Sequence, residues 1–486
     1  MRARDMSRLR ALAANMAAVV TGKAATAVVG LLTVVALTRH LGPREFGYYR
    51  TVLTYSAFAA VLADSGLYMV TLREMSQAGS GAGRVLGNAL PLRVASTGSV
   101  LLAAAGFAWL TPYDPRVKWG MLIGAAIYTC LQTSDLLIAA FQSVLKQARN
   151  AVAEVTGAVV TLAAVSALTL THVGALPMLG ATLLGAAVAL SISLALARRL
   201  VRFRVSFDRP QWRRYLLVGL PLAGSQILDM AMLRGDSLLL SLLQPATALG
   251  LYGVPSKLFE ITTSVPYMLA GLTMPALTAS AASDDAEFSR QLGRTLDAVA
   301  VYGVGVVIAL APFAGRLLAL IAGERFAAGA PALVVISFAV ALAGLTHVLR
   351  FTLVACERPR LVLIADAVAC TCAFAAYFGL IPRFSLLGAA AGTVVAEASA
   401  LIAMSVALRW AGRRLPSLAN PAKAVIAGAL AVLAMRYLAA WGAPWLVALA
   451  AGGALYLVLS ALTRAIPREL LLIVFGAVRK IGVGHG

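Results

Sequence analysis

Long apolar runs alternate with short charged connections along this chain, and the runs set the architecture. Fourteen stretches of roughly 17 to 30 residues can be traced, each near the ~20 residues that a helix needs to cross ~30 Å of hydrocarbon. Six fall between residues 15 and 197, six between 214 and 408, and two at 421–441 and 444–463. The runs are continuous rather than alternating, and backbone polar groups cannot stay unpaired in lipid, so the spans are predicted to be helices and not barrel strands. The expected fold class is an all-α polytopic membrane protein of about 14 transmembrane helices, with two six-helix lobes around a central cavity plus two C-terminal helices.

The connections subdivide the chain. The most charged of them, Arg198 to Arg214, holds seven arginines and Asp208. It separates an N-lobe (1–197) from a C-lobe (214–410), with 198–213 as a basic cytoplasmic linker and 411–486 as two additional spans and a cytoplasmic tail. A topogenic anchor at an anionic leaflet is the simpler role for the linker, and substrate capture is the alternative. A weak internal echo supports the division: LGPREFGYY (Leu41 to Tyr49) and QPATALGLY (Gln244 to Tyr252) each follow the first span of their half, with Gly47 and Gly250 203 positions apart. Repeats of this kind build transporters that expose one site to alternate sides.

Composition narrows the function. The formal net charge is +21, yet 60% of residues are hydrophobic and mean hydropathy is +0.86. The basic residues sit in short connections between spans, which makes them topological signals and leaves no soluble patch for nucleic acid. With Arg2, Arg4, Arg8 and Arg10 in the cytoplasm, most Lys and Arg fall on that side. This predicts a multi-pass protein of the bacterial cytoplasmic membrane with both termini inside. The opening MRARDMSRLR resembles a secretory signal, but apolar sequence continues to about Leu37, so it reads as an uncleaved first span. Connections of no more than about 20 residues leave no room for a catalytic domain, and no GxxxxGK[ST] motif offers a site for ATP. A transporter, not an enzyme, is expected. Cys130, Cys356, Cys370 and Cys372 lie in or beside apolar spans without metal-ligand spacing, and are read as packing residues.

Charges inside the spans carry the chemistry. A charge near the bilayer centre costs about 3 kcal/mol or more on insertion scales, so such residues face a bundle interior or a watery cavity. In the eighth span, Ser256, Lys257, Glu260, Thr263, Ser264, Tyr267 and Gly271 recur at three and four residues and draw one polar stripe. Lys257 lies about 9 residues from the outer end, roughly 14 Å at ~1.5 Å per residue. Its bland reading is an internal ion pair with Glu260. Lys23, Thr26 and Gly30 form a shorter stripe in the first span, where a snorkelling lysine is the alternative. In the seventh span, Asp229 and Asp236 share a face, whereas Arg234 lies about 200° round the helix from Asp236; which of them faces the chamber stays open. Asp64, Arg73, Arg350 and Glu397 lie near span ends as secondary candidates, and a lone His347 is more often a packed residue than a switch. Pro221, Pro245, Pro255, Pro266 and Pro275 mark the seventh and eighth spans as bending points.

TRHLGPREFGYYRTVL, SGLYMVTLREMS, PATALGLYGVPSKLFE, GERFAAGAPALVVISF, ACERPRLVLIADAV and LIPRFSLLGAAAGTVVAEA occur in an order and spacing that resemble the polysaccharide (O-antigen type) flippases of the multidrug/oligosaccharidyl-lipid/polysaccharide exporter superfamily. One departure is that the Asp-Arg pair common in the seventh span is Asp236-Ser237 here, with Arg234 two positions earlier. The resemblance implies translocation of a polyprenyl-pyrophosphate-linked oligosaccharide from the inner to the outer leaflet by alternating access, for O-antigen, capsule or exopolysaccharide export. Lys23, Arg234 and Lys257 would then be the substrate-binding cations. Thr26, Ser256, Glu260, Thr263, Ser264 and Tyr267 would line the cavity, and Asp64, Asp236 or Glu397 would couple a proton or sodium ion. No metal or other cofactor is expected. The implied partners are membrane lipids, the lipid-linked oligosaccharide, and polysaccharide polymerase and chain-length machinery. A lipid-linked peptidoglycan precursor flippase and a cation-coupled multidrug antiporter are the competing functions. A membrane glycosyltransferase or ligase is disfavoured by the short outer connections.

Overall fold

The structure is a computed structural model and describes residues 2–463 other than Ser65, Gly79, Ser80, Val144, Leu145 and Leu418. Its regular elements are helices: α1 (Arg2–Asp64), α2 (Leu67–Ala78), α3 (Ala82–Ala108), α4 (Pro115–Ser143), α5 (Ala148–Leu168), α6 (Ala175–Leu200), α7 (Arg209–Leu243), α8 (Ala246–Ser283), α9 (Asp285–Leu310), α10 (Ala314–Ala322), α11 (Ala330–Ala355), α12 (Pro359–Trp410), α13 (Ala419–Ala440) and α14 (Trp445–Leu462), with a 3₁₀ turn over Glu324–Gly329. Among the described residues, ten helices are long and apolar enough to cross a membrane. The helices correspond to the apolar runs but not one to one. α1 and α12 each hold two predicted spans, while α2 and α10 are short helices that hydropathy did not separate.

Both double helices break at a backbone exception. In α1, Gly42 takes φ +69° and is followed by Pro43, which has no N–H to continue the ladder. In α12 the break falls at Ser385, φ +52°, three residues after Pro382. By contrast α8 runs through Pro255, Pro266 and Pro275 as one helix of 38 residues. The helix is continuous across all three prolines, as membrane helices allow by re-satisfying the freed carbonyls locally.

The helices group into two compact units. One runs up to Gly253 and includes Ile321–Arg325; the other comprises Val254–Leu320 and the chain from Phe326 onward. In the first, α5 packs on α6 and α1, and α4 packs on α3 and α6. Leu86, Leu136, Phe141 and Tyr215, all fully buried, belong to one hydrophobic cluster there. In the second, α11 packs on α9 and α12 around Leu292, Leu349, Leu353 and Met404. There α13 and α14 lie against α9, where Tyr456 donates to the Val301 carbonyl at 2.7 Å.

The two echoed segments meet inside the first unit. A Cβ on Gly47 would lie 1.9 Å from the Ala246 carbonyl oxygen, and one on Gly250 1.8 Å from that of Pro43. Each glycine thus admits the backbone at the start of the other's helix, which explains why the echo keeps glycine at that position.

Candidate functional site

The first unit buries an arginine completely. Arg93 on α3 is 1% exposed, and its guanidinium holds the Asp64 carboxylate at the end of α1's second span. It also donates to the Gln132 carbonyl at 3.0 Å and to Gln132 Oε1 at 2.6 Å. Gln132 in turn donates to the Ala60 carbonyl at 3.1 Å. Each guanidinium nitrogen of Arg93 has a partner, as burial in a low dielectric demands.

Beside it opens a cavity of about 320 Å³ between α1, α4, α5 and α6. Asp135 and Ser134 line it from α4, Asn150 and Glu154 from α5, and Thr26 from α1. Asn150 Nδ2 donates to Glu154 Oε1 at 2.5 Å, which fixes one carboxylate oxygen. The hydroxyls of Thr26 and Ser134 are buried without a hydrogen-bond partner among the described residues. Asp135 is open to the cavity and makes no hydrogen bond or ion pair among the described residues. Arg93, Lys23, Glu154 and Asp64 all lie within its electrostatic reach. Two carboxylates, an amide and two unused hydroxyls around a space of this size form a donor set for a proton or a small cation, because acids without a paired cation raise the local affinity for positive charge.

The residues singled out above fall in several places. Lys23 is exposed and has no bonded partner among the described residues, and Thr26 three residues on faces the cavity. Arg234 is half-buried, and Asp236 is 5% exposed, accepting from Tyr252 Oη and from the Ser237 N–H, each at 2.5 Å. The Asp229 side chain lies outside the described residues. In the second unit, Lys257 pairs with Glu260 at 3.0 Å, both half-buried. Ser256 is half-buried on the same helix. Thr263 and Ser264 return their hydroxyls to the carbonyls of Phe259 and Ile261. Tyr267, 51% exposed, stacks edge-on against His347 and Phe351. Arg350 forms a bidentate pair with Asp366 at 2.8 and 2.6 Å. Glu397 lies within electrostatic reach of both.

Sequence reasoning missed Asp135, Glu154, Asn150 and Ser134. A signal was present: Asn150, Glu154, Gly157 and Thr161 recur at four, three and four residues, one polar face of α5.

A second, more polar pocket of about 620 Å³ lies at the far end of the same unit, between the kink of α1 and the α3–α4 and α7–α8 connections. Arg44 Nε donates to Tyr48 Oη at 3.0 Å, and Tyr48 donates to Asp114 Oδ2 at 2.8 Å. The backbone N–H of Arg116 beside Asp114, then the Tyr48 hydroxyl, hold its carboxyl below the usual range.

This helical fold is shared with solved transporters of the multidrug/oligosaccharidyl-lipid/polysaccharide superfamily. The similar structures include the lipid II flippase MurJ in an inward closed conformation (TM-score 0.77, 11% identity, covering 93% of this chain and 100% of that one). An inward-facing multidrug resistance MATE family transporter matches with TM-score 0.61 and 16% identity over 80% and 94% of the two chains. A superfamily transporter from Pyrococcus furiosus, described as having a binding pocket of reverse polarity, matches with TM-score 0.53 and 13% identity over 83% and 94%. No curated protein matches by sequence. The family profile described as polysaccharide biosynthesis protein matches residues 12–280, and the chain belongs to that family.

Proposed function

We propose that this protein is a flippase that carries a polyprenyl-pyrophosphate-linked oligosaccharide from the inner to the outer leaflet of the cytoplasmic membrane, by alternating access and without a covalent step. The observation that carries this reading is the family match over residues 12–280. A pyrophosphate and a sugar chain cannot enter hydrocarbon unaided, since each unpaired polar group there costs several kcal/mol. Lys23 is the cation best placed to meet the headgroup, because it is exposed and unpaired among the described residues. Arg234 is a second anchor. Lys257 offers its charge only when Glu260 is displaced or neutralised.

Coupling to a proton or sodium ion is assigned to the cavity of Asp135 and Glu154. Asp64 is held by Arg93 and Asp236 by Tyr252, which favours the cavity acids over these two for this role. Glu397 is the remaining coupling candidate. Polysaccharide polymerase and chain-length machinery would act on the delivered product.

The test is reconstitution in liposomes with a lipid-linked oligosaccharide, scoring appearance in the outer leaflet. Lys23→Ala and Arg234→Ala are expected to lower the rate at least tenfold, with Lys257→Ala less affected. Transport of a lipid-linked peptidoglycan precursor but not of the oligosaccharide would establish the competing flippase instead. Efflux of cationic drugs alone would establish the antiporter.

A further inference from the structure

The connection between α6 and α7 is a built strap, not a loose tether. Its backbone is pressed onto the start of α3: a Cβ on Gly83 would lie 2.1 Å from the Arg202 carbonyl oxygen, and one on Gly87 2.0 Å from that of Arg204. Ser206 N–H donates to the Gly87 carbonyl at 3.1 Å. Asn88, fully buried, then clamps the end of the strap. Its Oδ1 accepts from the Asp208 N–H and from Trp212 Nε1, each at 2.9 Å, and its Nδ2 donates to Gln211 at 2.9 Å.

The clamp fixes what the strap presents. Arg198, Arg199, Arg202, Arg204, Arg209 and Arg213 are exposed and have no carboxylate partner among the described residues, while Arg214 is spent on Glu74 at 3.1 Å. Among these cations stand two apolar side chains that no core claims, Val205 at 57% and Phe207 at 72% exposure. Phe207 also meets the Trp212 ring edge-on at 5.9 Å. Charge alone would suit any polyanion in water. Cations interleaved with exposed apolar groups suit a surface that is anionic in its headgroup plane and apolar just beneath it.

We infer that the strap is a docking surface for anionic membrane lipids, whose headgroups pair with Arg202, Arg204 and Arg209 while Phe207 enters the acyl boundary. A merely topological role needs only the count of positive charges. The docking role needs the clamped backbone as well. The inference is independent of which substrate the protein moves.

The test uses the full chain in detergent, titrated with phosphatidylglycerol or phosphatidylcholine carrying brominated acyl chains, reading quenching of Trp212 as the difference between parent and Trp212→Phe. Phosphatidylglycerol is expected to quench at a lipid fraction at least fivefold lower than phosphatidylcholine. Combined Arg202→Gln, Arg204→Gln and Arg209→Gln should abolish that preference, whereas combined Arg358→Gln, Arg360→Gln and Arg409→Gln, which remove the same charge elsewhere, should keep it. Gly87→Ala should weaken it severalfold at unchanged charge; if that variant does not fold, Asn88→Ala serves in its place. Equal quenching by the two lipids, or equal losses from the two arginine triplets, would overturn the proposal. So would displacement of phosphatidylglycerol by millimolar pyrophosphate but not by chloride of matched ionic strength, which would mark a soluble-anion site.

Discussion

Each unit of this protein buries an Arg–Asp pair with a further carboxylate beside it, and the two pairs are built to different standards. In the first unit, the Arg93 and Asp64 side chains are 1% and 11% exposed, and Gln132 supports the arginine from two directions. In the second, the Arg350 and Asp366 side chains are 24% and 9% exposed. The neighbouring acids differ in the same sense. Asp135 opens onto a cavity with unused hydroxyls, whereas Glu397 sits close to its ion pair, with Thr346 reaching its backbone carbonyl at 3.5 Å. In the first arrangement the further acid stands apart from the pair, on a cavity of its own. In the second, Arg350 pairs with Asp366 and also lies within electrostatic reach of Glu397.

The largest effect should come from breaking the Arg93–Asp64 pair. Removing one partner of a fully buried pair strands a charge, a loss of about 3–5 kcal/mol. Arg93→Gln should therefore sharply lower the thermal unfolding midpoint in detergent, or prevent accumulation of folded protein. Arg350→Gln leaves Asp366 with Glu397 and partial solvent, and should cost about 1–3 kcal/mol. Equal losses would erase the contrast.

Close backbone approach separates the units next. Gly250→Ala in the first unit would drive a Cβ to 1.8 Å from the Pro43 carbonyl oxygen, while a Cβ on Gly453 in the second meets nothing within 4 Å. The former should lose about 1–3 kcal/mol by overpacking. The latter should gain slightly, because alanine favours the helix by about 0.5–1 kcal/mol. Unfolding midpoints of the two variants check both signs.

Transport sharpens the comparison further. Asp135→Asn and Glu154→Gln should cut ion-driven translocation about tenfold, equivalent to about 1.4 kcal/mol in the barrier, without lowering the unfolding midpoint. Glu397→Gln should reduce transport and also strengthen the Arg350–Asp366 pair, raising the midpoint. If Glu397→Gln alone uncouples transport from the ion gradient, the coupling site belongs to the second unit.

Parts of this arrangement were legible in the sequence for local reasons. Hydropathy is a property of a window, so the apolar runs mark helices, and the Lys257–Glu260 pair follows from three-residue spacing on one helix. The Gly47–Gly250 echo announced a shared backbone constraint before its contact was visible. What could not be read was long-range pairing. Asp64 looks like a coupling acid until Arg93, 29 positions away on another helix, takes its carboxylate. Asp236 was a second coupling candidate, and its hydrogen bond from Tyr252, on the next helix, was equally out of sight. Asp135 and Glu154 were overlooked because each is a single acid in its own helix, and only the packing of α4 against α5 and α6 brings them to one cavity.

The smallest expected effect lies outside the spans, at the capping acids of the two units. In the first, Asp114 is held below the usual carboxylate range mainly by the Arg116 backbone N–H; in the second, Asp284 is lowered by the N–H groups of Glu287 and Ala286 at the start of α9. A depressed folded-state pKa contributes stability that is present above the unfolded value, about 3.9 for Asp, and is lost as pH falls through the folded value. Asp114→Asn and Asp284→Asn should thus lower the unfolding midpoint slightly at pH 7 and flatten its fall below about pH 4. The two sites share no partner, so their effects should add in the double variant. A fall as steep as the parent's in the double variant would place the acid sensitivity on carboxylates other than these two caps.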